Sequence, residues 1–374
     1  MFENLNLIEL QQYWWMIISL LGAVLTFLLF VQGGQSLIYT LGKKEDHRSL
    51  IINSLGRKWE FTFTTLVTFG GAFFASFPLF YATSFGGAYW AWMTLLFCFI
   101  IQAVSYSYRN KENNFLGRKT YDAFLFINGL LAPVLIGVVV GSFFTGSAFS
   151  LNEYNSVEWH SNLKGLDLLF NINNVILGLV LLFLSRVQAC LYFINNIESE
   201  SFINKTRTSL KRNSIALVLL LIYWIINLII SKGYAIDENQ IVFAQDYKYL
   251  NNVIEMPLNS IILVIGVVLV LIGIYKGVSK STKGIWFSGI GTILLIFSVF
   301  LLAGFNNTSF YPSTTDIQSS LTIQNASSSH YTLVAMSYIS LIIPFVITYI
   351  WYAWRALNKE KISTESLTKE EHKY

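Results

Sequence analysis

The stretch RKWEFTFTTLVTFGGAFFASFPLFYA, from Arg57 to Ala82, decides the fold, because its apolar part is long enough to cross a bilayer. It opens with two cations, Glu60 and several threonines, which are polar residues at the mouth of an otherwise apolar span. The whole chain has this character, since 54% of its 374 residues are hydrophobic, 12% are charged and the mean hydropathy is +0.54. This composition predicts an all-α polytopic membrane protein and excludes a soluble globular domain.

Runs of about 20 apolar residues can span a bilayer, and nine such runs predict nine transmembrane helices. The segments Gly22–Gln32 and Gly178–Gln188, in the first and fifth runs, share Gly, Val, Leu, Phe and Gln at matching positions. Because four spans restore the original orientation, this match predicts two four-helix bundles in a parallel repeat plus one extra helix. The predicted spans are 13–41, 59–84, 88–107, 122–146, 166–193, 212–232, 257–276, 284–304 and 332–356.

The predicted organisation is a single membrane domain over 1–374. Its first bundle covers 13–146, its second covers 166–304, its ninth helix covers 332–356, and 357–374 is a mobile cytoplasmic tail. The longer loops at 147–165, 233–256 and 305–331 are rich in Asn, Ser, Thr and aromatic residues, and we expect them to fold as caps on the outer face.

The Lys and Arg residues orient these spans. Of the 25 such residues, 21 lie in alternate connecting segments and in the tail. Because short cytoplasmic loops carry the excess of Lys and Arg, the N-terminus is predicted outside and the C-terminus in the cytoplasm. The formal charge of +4 is spread between apolar runs, which gives no support for nucleic-acid binding. Arg186 falls inside the fifth span, where snorkelling to the interface is favoured over pairing with a buried acid.

The four histidines lie outside all nine predicted spans. Because membrane cytochromes hold haem iron mainly through histidine, we expect this chain to bind no haem or metal, and any metal-driven oxygen chemistry to belong to a partner. The two cysteines lie in apolar spans without ligand spacing, and we interpret them as packing residues. These residues are His47, His160, His330, His372, Cys98 and Cys190.

Once the orientation is applied, eight residues converge on the cytoplasmic ends of the first four spans. Polar groups at membrane depth are costly unless they are paired or hydrated, so this hydrophilic cluster is a candidate hydrated pocket or proton-uptake route. The alternative is interfacial anchoring, with aromatic residues in the interfacial belt and acids in the first turns of helices. For Gln32, interhelical hydrogen bonding is favoured over transport. No catalytic, cofactor-binding or metal-binding residue is predicted. The cluster comprises Gln32, Gln35, Trp59, Glu60, Ser107, Tyr108, Arg109 and Asp122.

Six stretches, spread from the first loop to the last span, carry a resemblance to a known family. They are IINSLGRKW (Ile51–Trp59), FGGAFFASFPLFYATSFGGAY (Phe69–Tyr89), YRNK (Tyr108–Lys111), the pair Tyr121 and Asp122, IGVVVG (Ile136–Gly141) and SLTIQNASSSHYTLVAM (Ser320–Met336). In order and spacing they resemble subunit II of the cytochrome bd ubiquinol oxidases over nearly the whole chain.

The resemblance implies a haem-free subunit of a quinol oxidase in a bacterial cytoplasmic (inner) membrane. The chain would not be catalytic alone. Its partner, subunit I, would carry two haems b and one haem d, and the complex would oxidise quinol, reduce dioxygen to water and take protons from the cytoplasm. The resemblance also suggests small single-span accessory subunits and a lipid or quinone as further partners.

The chain departs from that family at the polar positions. Gln32 and Gln35 stand where the family has acids, Gln102 where it has an Arg, and Ser107 where it has another acid. Glu60 keeps an acid after the tryptophan but loses the neighbouring amide. Because glutamine cannot titrate, we expect catalytic protons to enter mainly through subunit I, with this chain supplying scaffold, a lipid or quinone-tail cleft, and stability.

Two alternatives come from other classes. A secondary transporter with a polar pocket at its cytoplasmic end would fit the cluster, but the chain lacks a charged pair in mid-membrane and matched broken-helix signals in its two halves. A purely structural membrane subunit would differ from the oxidase subunit only in whether a redox partner copurifies.

Overall fold

The computed structural model describes residues 2–359 and 361–363, so residue 360 and 364–374 of the predicted tail lie outside the described residues. Short 3₁₀ turns at Phe2–Asn4, Leu166–Phe170 and Ile317–Ser319 and a π-helical turn at Tyr81–Gly86 interrupt the regular elements. The first half contains α1 (Leu7–Leu28), α2 (Phe30–Gln35), α3 (Ile38–Leu41), α4 (Glu45–Gly56), α5 (Trp59–Ser76), α6 (Pro78–Phe80), α7 (Tyr89–Tyr108), α8 (Arg118–Thr145), β1 (Phe149–Leu151) and β2 (Val157–Trp159). The second half contains α9 (Ile172–Asn196), α10 (Glu200–Ile230), β3 (Gly233–Ile236), β4 (Val242–Gln245), α11 (Lys248–Glu255), α12 (Pro257–Val278), α13 (Gly284–Gly304), α14 (Ile323–Ala326), α15 (His330–Ser340) and α16 (Ile343–Leu357).

Eight helices in the described ranges are long and apolar enough to cross a membrane, and a bent pair raises the number to nine. The predicted all-α polytopic membrane fold is therefore confirmed, while the two-bundle arrangement and the orientation of the termini stay predictions. The first helix begins at Leu7, earlier than the predicted 13, because Asn6 and Glu9 form a capping box at 2.8 and 2.9 Å. The fifth begins at Ile172, capped by Asn171, because 166–170 forms a 3₁₀ turn.

The second predicted span, 59–84, is not one straight helix. The helical axis turns by 118° between Ser76 and Pro78. Phe77, at the break, has φ −132° and ψ 66°, outside the helical region. Proline has no backbone N–H and disfavours a helical conformation at the preceding residue, so Pro78 accounts for the bend. The segment after it is a short helical turn and a π-helical turn, which bring the chain to α7.

Glycines set the distance between the helices that hold the polar residues. A Cβ added at Gly129 of α8 would lie 2.4 Å from the backbone nitrogen of Ser36, and one at Gly137 would lie 2.6 Å from the Cα of Gly178. Residues without a Cβ let helix backbones approach closely in membranes. α8 therefore packs directly against α2 and α9, and this contact encloses the polar side chains of α2.

The long loops are folded, as expected from their composition. β1 pairs with β2 and β3 with β4 in antiparallel hairpins. Isolated bridges join Ser147 to Ser313 and Ala235 to Thr308, so the three loops contact one another. The side of the membrane on which they lie stays a prediction.

Candidate functional site

A buried network of amides occupies the place where α2, α7 and α8 meet. The Nε2 atoms of Gln32 and Gln35 each donate to Oε1 of Gln102 at 2.8 Å. The Nδ2 atom of Asn128 donates to Oε1 of Gln35 at 2.7 Å and to Oε1 of Gln102 at 2.5 Å, and Gln35 also donates to the hydroxyl of Tyr106 at 3.0 Å. The three glutamines and Asn128 are fully buried, so the network joins three helices inside the protein. Gln32 thus makes the interhelical hydrogen bond expected of it.

This amide network contains no carboxylate and no basic side chain. Its single titratable member is Tyr106, whose ring stacks on Trp59 with 5.7 Å between centroids and 16° between planes. Amides donate and accept hydrogen bonds but do not change charge. The network can therefore fix the packing of α2, α7 and α8, but it offers no carboxylate for storing a proton.

An ionic cluster lies beside the network, where α4, α7 and α8 meet. Asp122 accepts from Nε of Arg109 at 2.7 Å and from Nη1 of Arg48 at 3.2 Å, and Nη2 of Arg109 reaches Oε1 of Glu45 at 3.2 Å. Arg109 and Asp122 are each 1% exposed, Arg48 is 17% exposed and Glu45 is 54% exposed. Because a buried charge is tolerated only when it is paired and hydrogen-bonded, the two acids and two bases hold each other in place.

The structure separates the predicted cluster into three sets. Gln32 and Gln35 lie in the amide network with Trp59 against its edge, and Arg109 and Asp122 lie in the ionic cluster. The third set is exposed on the surface of the chain and comprises Glu60, Ser107 and Tyr108. The threonines after Glu60 satisfy their hydroxyls within the helix, since Thr64 donates to the Glu60 carbonyl at 2.8 Å and Thr68 donates to the Thr64 carbonyl at 2.8 Å.

Several residues of the amide network and the ionic cluster are not predicted as site residues from the sequence. Asn128 is a single amide in the long apolar run of α8, and that isolated polar residue was a usable signal. Tyr106 carries no comparable signal in the sequence, because aromatic residues are common near the ends of membrane helices. Arg48 and Glu45 lie in the first connecting segment, and only the packing of α4 against α7 and α8 brings them to Asp122.

The described residues do not fit a haem group in the membrane. His47 is buried against Phe202 and His160 contacts Ser150 in a loop hairpin. His330 is the first residue of the last apolar segment, which begins two residues before the predicted 332, and its Nε2 atom contacts the Leu5 carbonyl at 2.9 Å. No group of three metal-ligating side chains occurs in the ranges that the structure describes. Nothing in these positions assembles an axial ligand pair.

A separate apolar cavity of about 220 Å³ lies among α1, α8, α9, α10, α12 and α13. Leu177, Trp224, Phe300 and Tyr249 contribute to its walls. The Tyr249 hydroxyl is buried and has no hydrogen-bond partner among the described side chains and backbone. Two other hydroxyls line the cavity, those of Thr26 and Ser260, and both donate to backbone carbonyls. The cavity is therefore mainly apolar, with the Tyr249 hydroxyl as an unpaired polar group in its wall.

Known proteins match the chain over nearly its full length. The family model described as cytochrome bd terminal oxidase subunit II matches residues 10–357. The chain is 26% identical to cytochrome bd-I ubiquinol oxidase subunit 2 of Escherichia coli K12, over 97% of this chain and 98% of that protein. It is also 26% identical to cytochrome bd ubiquinol oxidase subunit 2 of Bacillus subtilis, over 92% and 94% of the two chains.

The fold agrees with these matches. A chain in the solved bd oxidase structure from Geobacillus thermodenitrificans superposes with a TM-score of 0.68 at 13% identity, over 94% of this chain and 100% of that one. The family match, the two relatives and the shared fold lead to one conclusion: the chain belongs to the subunit II family of the cytochrome bd terminal oxidases.

Proposed function

We propose that this chain is the haem-free subunit II of a bd-type quinol oxidase and that it supports, without performing, the redox chemistry. Family membership makes it a subunit of a respiratory oxidoreductase in the bacterial inner membrane, and this decides against the secondary-transporter alternative. Haems b and d and the sites of quinol oxidation and oxygen reduction would then belong to subunit I. The positions of the three histidines within the described residues support this division, because His47 packs against Phe202, His160 contacts Ser150 and His330 contacts the Leu5 carbonyl.

We further propose that catalytic protons reach the complex mainly through subunit I. The observation that carries this proposal is the chemistry of the amide network. A proton route would need titratable or hydrated groups. At this place Gln32, Gln35, Gln102 and Asn128 form a hydrogen-bonded set of neutral amides that cannot titrate. Asp122, the one buried carboxylate among the described residues, is held by two guanidinium groups. Glu60 is exposed, and within the described residues its side chain forms no hydrogen bond or ion pair with these groups.

The chain would then contribute scaffold, stability and a cleft for a lipid or quinone tail. The cavity between α1, α8, α9, α10, α12 and α13 suits this last role, because its walls are mainly apolar and the Tyr249 hydroxyl in its lining has no hydrogen-bond partner among the described residues. Subunit I is the required partner, and small single-span subunits are further candidates.

Copurification tests the assignment. The chain would be tagged at its C-terminus and purified gently from its native membranes, and a reduced-minus-oxidised spectrum would be recorded. The proposal expects a second large subunit together with b-type bands and a far-red haem d band. A colourless single chain that survives in detergent would refute it.

A further inference from the structure

Arg186 is a membrane-embedded cation with a fixed orientation and no acidic partner within the part of the chain that the structure describes. Its Nε atom donates to Oγ of Ser36 at 2.8 Å, and that hydroxyl donates in turn to the Gly33 carbonyl at 2.6 Å. The guanidinium also lies 5.5 Å from the ring centre of Phe183. No carboxylate in the described ranges forms an ion pair with Arg186. The serine and the ring hold one edge of the guanidinium, and its two Nη groups make no hydrogen bond with the described residues.

The neighbouring helix gives the depth of this cation. α9 and α10 are antiparallel, and Cys190 lies level with Ser209, where their side chains interact. Arg186 lies one helical turn before Cys190, further from the loop that joins α9 to α10. Because the two helices are antiparallel, it is level with about residue 213 of α10. The last cations of α10 are Lys211 and Arg212, and the uncharged segment 213–230 that follows is about 27 Å long. This is close to the ~30 Å thickness of a hydrocarbon core. Arg186 therefore lies at one edge of the core, within reach of the lipid phosphates. The cations of α10 at the same level predict that this is the cytoplasmic edge.

The surface beside Arg186 continues as an apolar strip. Most of α9 is buried, but Val175, Leu179, Phe183 and Arg186 are each partly exposed. These positions are three or four residues apart, so they lie on one face of the helix. The strip places a cation at the headgroup level and apolar side chains along the core, which is the order of groups in a phospholipid.

We propose that Arg186 and Ser36 form a binding site for the phosphate diester of an inner-leaflet phospholipid, with one acyl chain lying along Leu179 and Phe183. The planar guanidinium presents paired N–H donors that match two phosphate oxygens. The bound phosphate would supply the anion that the described residues do not. This site is separate from the apolar cavity and does not depend on the proton proposal.

The test compares lipid retention by the purified oxidase complex. Wild-type complex and the Arg186→Gln variant would be stripped with detergent, incubated with dioleoyl phosphatidylglycerol and analysed by native mass spectrometry. We expect the variant to retain one phospholipid fewer per complex and to bind the added lipid about tenfold more weakly, because a charge-assisted pair of hydrogen bonds is lost. Glutamine can still reach toward Ser36, so the helix contact is largely preserved.

Lys205→Gln is the matched control, because it removes one exposed positive charge from the cytoplasmic part of α10. Equal lipid retention by wild type and Arg186→Gln would overturn the proposal, and so would an equal loss in Lys205→Gln. If the Arg186 variant fails to assemble, cryo-electron microscopy of the unaltered complex gives the answer. Phosphate density within hydrogen-bonding distance of Arg186 is expected, and a site without lipid density in a map that resolves other lipids would contradict it.

Discussion

Replacing Asp122 by Asn tests whether the ionic cluster is a structural clamp. The substitution keeps the shape of the side chain but removes the charge that Arg109 and Arg48 contact at 2.7 and 3.2 Å. Removing one partner of a buried ion pair costs about 3–5 kcal/mol, because the other charge remains buried. Arg109 retains Glu45 at 3.2 Å, so we expect a loss near the lower limit, about 3 kcal/mol.

The assay is unfolding of the purified complex by SDS titration in mixed micelles, followed by haem absorbance. Glu45→Gln is the matched control, since Glu45 is 54% exposed and exposed ion pairs contribute about 0–1 kcal/mol. Quinol oxidation per intact complex should stay within about twofold of wild type for both variants, a factor that corresponds to less than 0.5 kcal/mol in the barrier. Equal destabilisation by the two substitutions would refute the clamp, and a tenfold loss of turnover at full haem content would show that Asp122 acts in the reaction.

Two further predictions concern the packing of α2 against its neighbours. Gln102→Leu removes the acceptor shared by Gln32, Gln35 and Asn128. It should lower the free energy of unfolding in the same titration by about 2–4 kcal/mol, because each buried donor left unpaired costs about 1–3 kcal/mol. A loss no larger than that of Thr68→Val, on the exposed face of α5, would contradict the network. Gly129→Ala places a methyl group 2.4 Å from the Ser36 nitrogen and should sharply reduce the yield of assembled complex. Gly71→Ala is the control, because its methyl group would meet nothing within 4 Å and should leave the yield unchanged. Equal yields of the two variants would show that α2 and α8 do not approach as described.

The sequence was sufficient for the approximate positions of the eight or nine candidate spans in the described residues, because apolar runs of span length are the strongest signal a membrane protein carries. It missed the bend at Phe77, although Pro78 was visible as a potential break. A proline disfavours a helical conformation at the residue before it, which explains why the helix breaks at Phe77. The size of the bend depends on how the following segment packs.

The rotation of each helix was harder to predict than its position. In a soluble helix the apolar face identifies the buried side, whereas in a membrane both the lipid-facing and the buried faces are apolar. Glu60 was for that reason grouped with Gln32, yet Glu60 is exposed while Gln32 is fully buried. Arg48 and Glu45 could not be assigned to Asp122 from spacing, since three separate elements bring these side chains together.

The central claim is that this subunit carries no essential proton route, and turnover of the Glu60→Gln variant tests it most directly. Glu60 is the acid that directly follows Trp59, and it lies outside both the amide network and the ionic cluster. Quinol-dependent oxygen consumption would be measured per haem d in the purified complex, beside wild type. The account predicts turnover within about twofold of wild type, equivalent to less than 0.5 kcal/mol in the barrier. A large loss of turnover with haem content intact would contradict it.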